Sequence, residues 1–180
     1  IRKIVSLFWK SNINFIEVLY STEIEYRELI FPEIKMIFEM REKLVAMNLP
    51  YLYNACYGNA MSKYKMLEKG TSGTQHLIKK FGYDTKEALH CYRMLDFLRR
   101  FSNNDFQDFK QAVSYSQGER VFMLGIKYGK FNLGEFKEIA NYLKAEVENV
   151  YKPHYLEQEP EYDVRDELSE LIKGLVRRNI

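Results

Sequence analysis

The chain has 180 residues, a formal net charge of +2, 46% hydrophobic residues and 29% charged residues. That length predicts one domain, and the hydrophobic share excludes an intrinsically disordered chain. No stretch approaches the ~18 consecutive apolar residues that a membrane span requires, so no membrane partner is expected.

With 14 Tyr and 12 Phe, much of the buried area should be aromatic, about 150–250 Å² per ring. Positions 1, 4, 5, 8 and 9 are apolar, the spacing of an amphipathic helix, and Ser11-Asn12-Ile13-Asn14 interrupts it. A short helix from Phe15 follows, with room for an extended piece after it. The opening segment is too interrupted for a signal peptide and carries no initiator methionine, so a fragment or trimmed product is expected.

Pro32 suits a first helical position, and Ile34, Ile37, Phe38, Leu44 and Val45 keep helical spacing up to Pro50. A further helix is predicted over 51–69, although Gly58 inside it costs about 1 kcal/mol relative to alanine and calls for a close backbone neighbour. The small-residue loop 70–74 leads to Phe81-Gly82-Tyr83. Asp84 and Glu87 have the spacing of a reciprocal helix cap, so a helix should start there and run to about Phe101.

On that helix, at about 100° per residue, Ala88, Cys91, Tyr92, Leu95 and Leu98 share one side. Lys86, His90, Arg93 and Arg100 gather opposite, with Phe97 among them. Short helices are predicted around 105–115 and 119–128, with Gly129 as a C-terminal cap. Asn132 opens a longer helix toward Tyr151, which Pro153 should stop, and a last helix covers 164–177. No segment alternates with period two. The fold class is therefore all-α, a single multi-helix domain of about seven to eight helices, with at most one short extended segment near the N-terminus.

Cys56 and Cys91 lack metal-ligand spacing and lie in apolar patterns, which predicts buried thiols and a reducing, cytoplasmic setting. Charge is uneven: residues 61–100 hold nine Lys/Arg against four Asp/Glu, whereas 135–170 hold four against eleven. A basic middle segment can face phosphate.

Nucleotidyl transfer needs paired carboxylates for Mg²⁺ and a Gly-Ser turn for phosphate oxygens. The sequence contains neither Gly-Ser nor Asp-x-Asp. Glu23-Ile24-Glu25, Glu146-Val147-Glu148 and Glu157-Gln158-Glu159 have no phosphate loop before them and read as solvated charge runs. Hydrolase and Walker signatures are also missing. The strongest candidate is an anion site: Lys86, His90 and Arg93 span about 11 Å of helix, and Lys63, Lys65, Lys79 and Lys80 are available to extend it. An ordinary solvated stripe is the plainer reading of the same spacing. Tyr83 is either a base-stacking platform or a hydrophobic staple beside the cap.

Three blocks in order resemble the polymerase-β-superfamily nucleotidyltransferases associated with RNA repair. They are Lys10-Ser11-Asn12-Ile13-Asn14-Phe15-Ile16-Glu17-Val18-Leu19, then Phe81 through Arg93, then Ile126-Lys127-Tyr128-Gly129-Lys130. The family typically has proline where Ile13 stands, and arginine and glutamate where Lys127 and Lys130 stand. The resemblance implies a helical portion following a catalytic core whose carboxylates lie upstream of Ile1. It also implies Mg²⁺ in the complete protein and an NTP as donor. The acceptor would be an RNA end, a protein side chain or a small molecule. Asp84, Lys86, His90 and Arg93 would then face the cleft. The alternative is a non-catalytic helical module that binds nucleic acid or a protein through its basic middle.

Overall fold

The computed structural model describes residues 2–21, 23, 25 and 31–178. Among these the chain is helical throughout, with no strand. Helix α1 (Arg2–Trp9) turns at Ser11 into α2 (Ile13–Ile16) and a 3₁₀ turn over Glu17–Tyr20, so described residues 13–20 contain no extended piece. The run 23–25 lies partly outside the described residues.

There are more helices than the seven to eight predicted, because single periodic stretches break. The segment between Pro32 and Pro50 divides at Met40 into α3 (Pro32–Glu39) and α4 (Arg41–Ala46). Pro50 then opens α5 (Leu49–Met66) instead of simply ending what precedes it, since a proline in the first turn has no needed N–H to lose.

Next come α6 (Gln75–Phe81) and α7 (Thr85–Asn103). Helix α8 is only Phe109–Val113, because Asp105 and Phe106 take left-handed φ angles of 53° and 61° that no α-helix accommodates. Helix α9 (Gln117–Lys127) and α10 (Leu133–Glu146) each begin with a reciprocal cap, Ser116 with Glu119 and Asn132 with Glu135. A π-helical turn over Val147–Tyr151 carries the chain into α11 (Lys152–Leu156). Pro153 therefore starts a helix instead of stopping one. Helix α12 (Tyr162–Arg177) is last.

The packing of α5 on α7 is the most extensive between any two elements, and α6, α8, α9, α10 and the π-turn also contact α7. Leu52, Cys56 and Ala60 on α5 recur every fourth residue, as the core-facing stripe of a helix does. Ala88, Cys91, Leu95 and Leu98 are the corresponding stripe of α7, and all seven are at most 1% exposed. Tyr155 of α11 closes the layer by donating its hydroxyl to the Leu98 carbonyl at 2.8 Å. Both cysteines are free and buried. Burial pushes the Cys91 thiol up to about 12 and the Cys56 thiol higher still, so both stay protonated.

Around this centre α1, α3 and α4 pack with α12. Arg165 lies over the rings of Trp9 and Tyr162, 5.1 and 5.0 Å from their centroids, and Arg178 pairs with the buried Glu33 at 3.1 Å. Among the described residues, no helix is long and apolar enough to cross a membrane.

Two glycines behave in opposite ways. Gly129 follows α9 with φ at +67°, and a Cβ there would collide with the Phe81 ring. Gly58 has open space where a Cβ would stand, so no close neighbour explains it. Gly129→Ala is expected to destabilise by more than about 1 kcal/mol. Gly58→Ala should stabilise by about 0.5–1 kcal/mol. Urea unfolding of the two variants checks both signs.

Candidate functional site

The first turn of α7 is built by Asp84, which is fully buried and accepts from the amides of Lys86 and Glu87 through Oδ1 at 3.0 and 3.1 Å. Only half of the expected reciprocal cap forms. The Asp84 amide already donates to the Leu67 carbonyl at 2.8 Å, so Glu87 is free to turn elsewhere. It turns to α5, where Lys63 Nζ lies 2.8 Å from Glu87 Oε2, an ion pair without the angle of a directed hydrogen bond. With Glu87 only 4% exposed, removing Lys63 would strand a buried charge.

The four cationic positions divide by what holds them. Lys63 is committed to Glu87. Arg93 meets Glu17 of the 3₁₀ turn at 3.4 Å, a pair between two half-exposed side chains that contributes at most about 1 kcal/mol, and it also hydrogen-bonds the Tyr115 side chain. Lys86 is exposed, and no ion pair among the described residues includes it. His90 is half-buried between them. Burial and then Arg93, Lys63 and Lys86 hold its pKa below the ordinary value, with Glu87 the opposing influence. At neutral pH it is therefore an uncharged imidazole, able to donate from one nitrogen and accept at the other.

Arg100 leaves the stripe. It pairs with Glu119 at 2.6 Å and donates to the carbonyls of Gln111 and Ser114. Phe97, grouped by angle with the cations, is 2% exposed, stacks on Phe101 and meets Phe109 edge-on. Helix α7 is covered on both sides over that stretch, so a helical wheel with one apolar face fails there. Tyr83 is fully buried, donates to the Phe131 carbonyl at 2.9 Å and stacks on Phe136. Its ring is core, which removes the base-stacking option. Lys80 lies over the Phe81 ring at 4.9 Å.

Sequence reasoning missed both counter-ions of the stripe. Glu87 was visible only as a capping residue, and Glu17 lies 76 positions from Arg93. It also missed a cavity of about 470 Å³ bounded by α1, the turn at Ser11–Asn14, α5 and α7 at Met94. Three of the four sequence segments that form it lie far apart in the chain.

The carboxylates present do not suit Mg²⁺. Asp84 serves the cap through Oδ1 while its Oδ2 is buried without a hydrogen-bond partner, Glu17 and Glu87 each face a cation, and Glu148 accepts from the Tyr57 hydroxyl. Among the described residues no group of three or more His, Cys, Asp or Glu is arranged to hold a metal ion. What the arrangement offers is anion binding by Lys86, His90 and Arg93. No protein-family model, curated protein or solved structure matches the chain.

Because the folded-state pKa of His90 is depressed, the neutral form is favoured by folding. Its contribution to stability is complete above the unfolded value of about 6.5 and is lost as pH falls through the lower folded value. An NMR titration of His90 should show a midpoint below 6.5. Glu87→Gln should lower that midpoint further, and Lys86→Gln should raise it.

Proposed function

We propose that this chain is the helical, phosphate-binding portion of a nucleotidyltransferase, with the metal-binding carboxylates supplied by a catalytic core outside these 180 residues. The reaction is attack by an acceptor hydroxyl on the α-phosphorus of an NTP with loss of pyrophosphate. The role of this chain is to orient phosphate through Lys86, the neutral imidazole of His90 and the Arg93 donors that Glu17 and Tyr115 leave over. The observation that carries the reading is the unequal commitment of the cations: Lys86 is exposed and outside every ion pair among the described residues, whereas Arg93 is held by the half-exposed Glu17 and by Tyr115. Further support is that Glu17, in the first of the three resembling blocks, pairs with Arg93 in the second. Gly129, in the third, packs on Phe81 of the second. Lys63 belongs to the framework of the site instead, and Asp84 starts the helix that carries it.

The second reading is a nucleic-acid-binding module without chemistry, favoured by the excess of Lys/Arg over 61–100. The two separate cleanly. Calorimetry at low salt should detect NTP binding, and Lys86→Gln or Arg93→Gln should each weaken it by about tenfold, the usual consequence of losing one charge-assisted hydrogen bond. Lys63→Gln should instead lower the unfolding midpoint. Single-stranded RNA bound more tightly than NTP, with affinity falling steeply as salt rises, would favour the second reading. Transfer of α-phosphate label by this chain alone would overturn the assignment of the catalytic carboxylates to another segment.

A further inference from the structure

The cavity of about 470 Å³ beside α1 combines an apolar floor, free amides and two lysines. Cys56 and Met94 form an apolar floor, 1% and 7% exposed. Asn14 and Asn59 are exposed at the wall, and no hydrogen bond among the described residues uses their side-chain amides. Lys3 and Lys10 stand at the edge, both exposed and both outside every ion pair among the described residues. None of the described residues lining the cavity is Asp or Glu. Ser11, 2% exposed, takes a left-handed φ of 48° at the turn that shapes one wall. Such strain in a non-glycine residue is retained where the surroundings require it.

Each part has a matching part in one class of ligand. A flat heteroaromatic ring covers a thioether and an apolar floor. Uncommitted amides supply both donors and acceptors to ring edges, as Asn does when it reads a base. Two lysines in a lining that has no Asp or Glu neutralise a phosphate at the mouth. The volume lies within the range of about 300–1,000 Å³ common for small-molecule sites.

We propose that this cavity holds a nucleoside 5′-phosphate, with the base over Met94, its edge against Asn14 and Asn59, and the phosphate between Lys3 and Lys10. The proposal deepens the reading above by adding a second nucleotide subsite next to the Lys86 stripe. The same chemistry comes from a free nucleotide or from the 5′-phosphorylated end of an RNA strand.

The test uses the whole 180-residue chain, the four nucleoside 5′-monophosphates, a 5′-phosphorylated RNA dinucleotide and inorganic phosphate. Affinity is read by calorimetry, and the ¹³C-labelled Met94 methyl resonance, assigned with Met94→Leu, is read by NMR. At least one monophosphate or the dinucleotide should bind and shift that methyl through its ring current. The double variants K3Q/K10Q and N14A/N59A should each weaken binding by about tenfold or more, while their circular dichroism and unfolding midpoints stay at wild type because all four side chains are exposed. Stronger binding of the dinucleotide identifies a strand end as the source, and stronger binding of a monophosphate identifies a free nucleotide.

No binding at millimolar concentration, an unmoved Met94 methyl, insensitivity to both double variants, or inorganic phosphate binding as well as any nucleotide would each overturn the proposal. Loss of NTP binding in the Lys86 and Arg93 variants with no effect of the cavity variants would leave the proposed function standing and remove this one. The converse pattern would do the opposite.

Discussion

Helix α7 is packed on by α5, α6, α8, α9, α10 and the π-turn, and this enclosure sets what its polar residues can do. A helix with only one buried face presents charge freely along the other. Helix α7 cannot, because Phe97 and Phe101 on one side and Leu95 and Leu98 on the other are all within 2% of complete burial. Charged groups in its second half must therefore be paired. Asp96 is held by Arg99, and Arg100 is tied to Glu119 and two carbonyls. The first turns also keep access to solvent, and there Lys86 and His90 stand outside every ion pair among the described residues. The location of the proposed anion site follows from where the core ends.

The same enclosure explains the balance of charge. Lys63 and Glu87 pair across the α5–α7 seam, where a lone charge would be costly. Arg93 and Glu17 meet farther out, where water weakens the attraction. His90 stays neutral because burial and three cations outweigh one carboxylate.

The adjacent cavity has a related origin. Helix α1 stops at Trp9, and Ser11 turns the chain sharply before α2 begins. The turn cannot fill the space above Cys56 and Met94. Small residues and amides on α5, with Ala55 and Asn59 at the rim, leave that space open instead of closing it. The opening thus results from a strained turn set against a helix whose residues at that height are short.

Several features were settled by local sequence alone. Asp84 accepts from the first-turn amides it was expected to serve, Asn132 opens its helix as expected, and the helix predicted over 119–128 begins two residues earlier, at Gln117. Helical periodicity gave the all-α class, and the burial of both cysteines followed from their apolar surroundings. These succeed because capping and amphipathic spacing depend on neighbours within about four residues. Tertiary structure decided the rest. Whether Glu87 completes a cap or joins Lys63 depends on the carbonyl of Leu67, and whether Phe97 sits among cations or in the core depends on α8. The partner of Arg93 and the walls of the cavity come from segments scores of residues away. Side-chain pairing and enclosed space are properties of the packed helices together, so no window along one strand of sequence contains them.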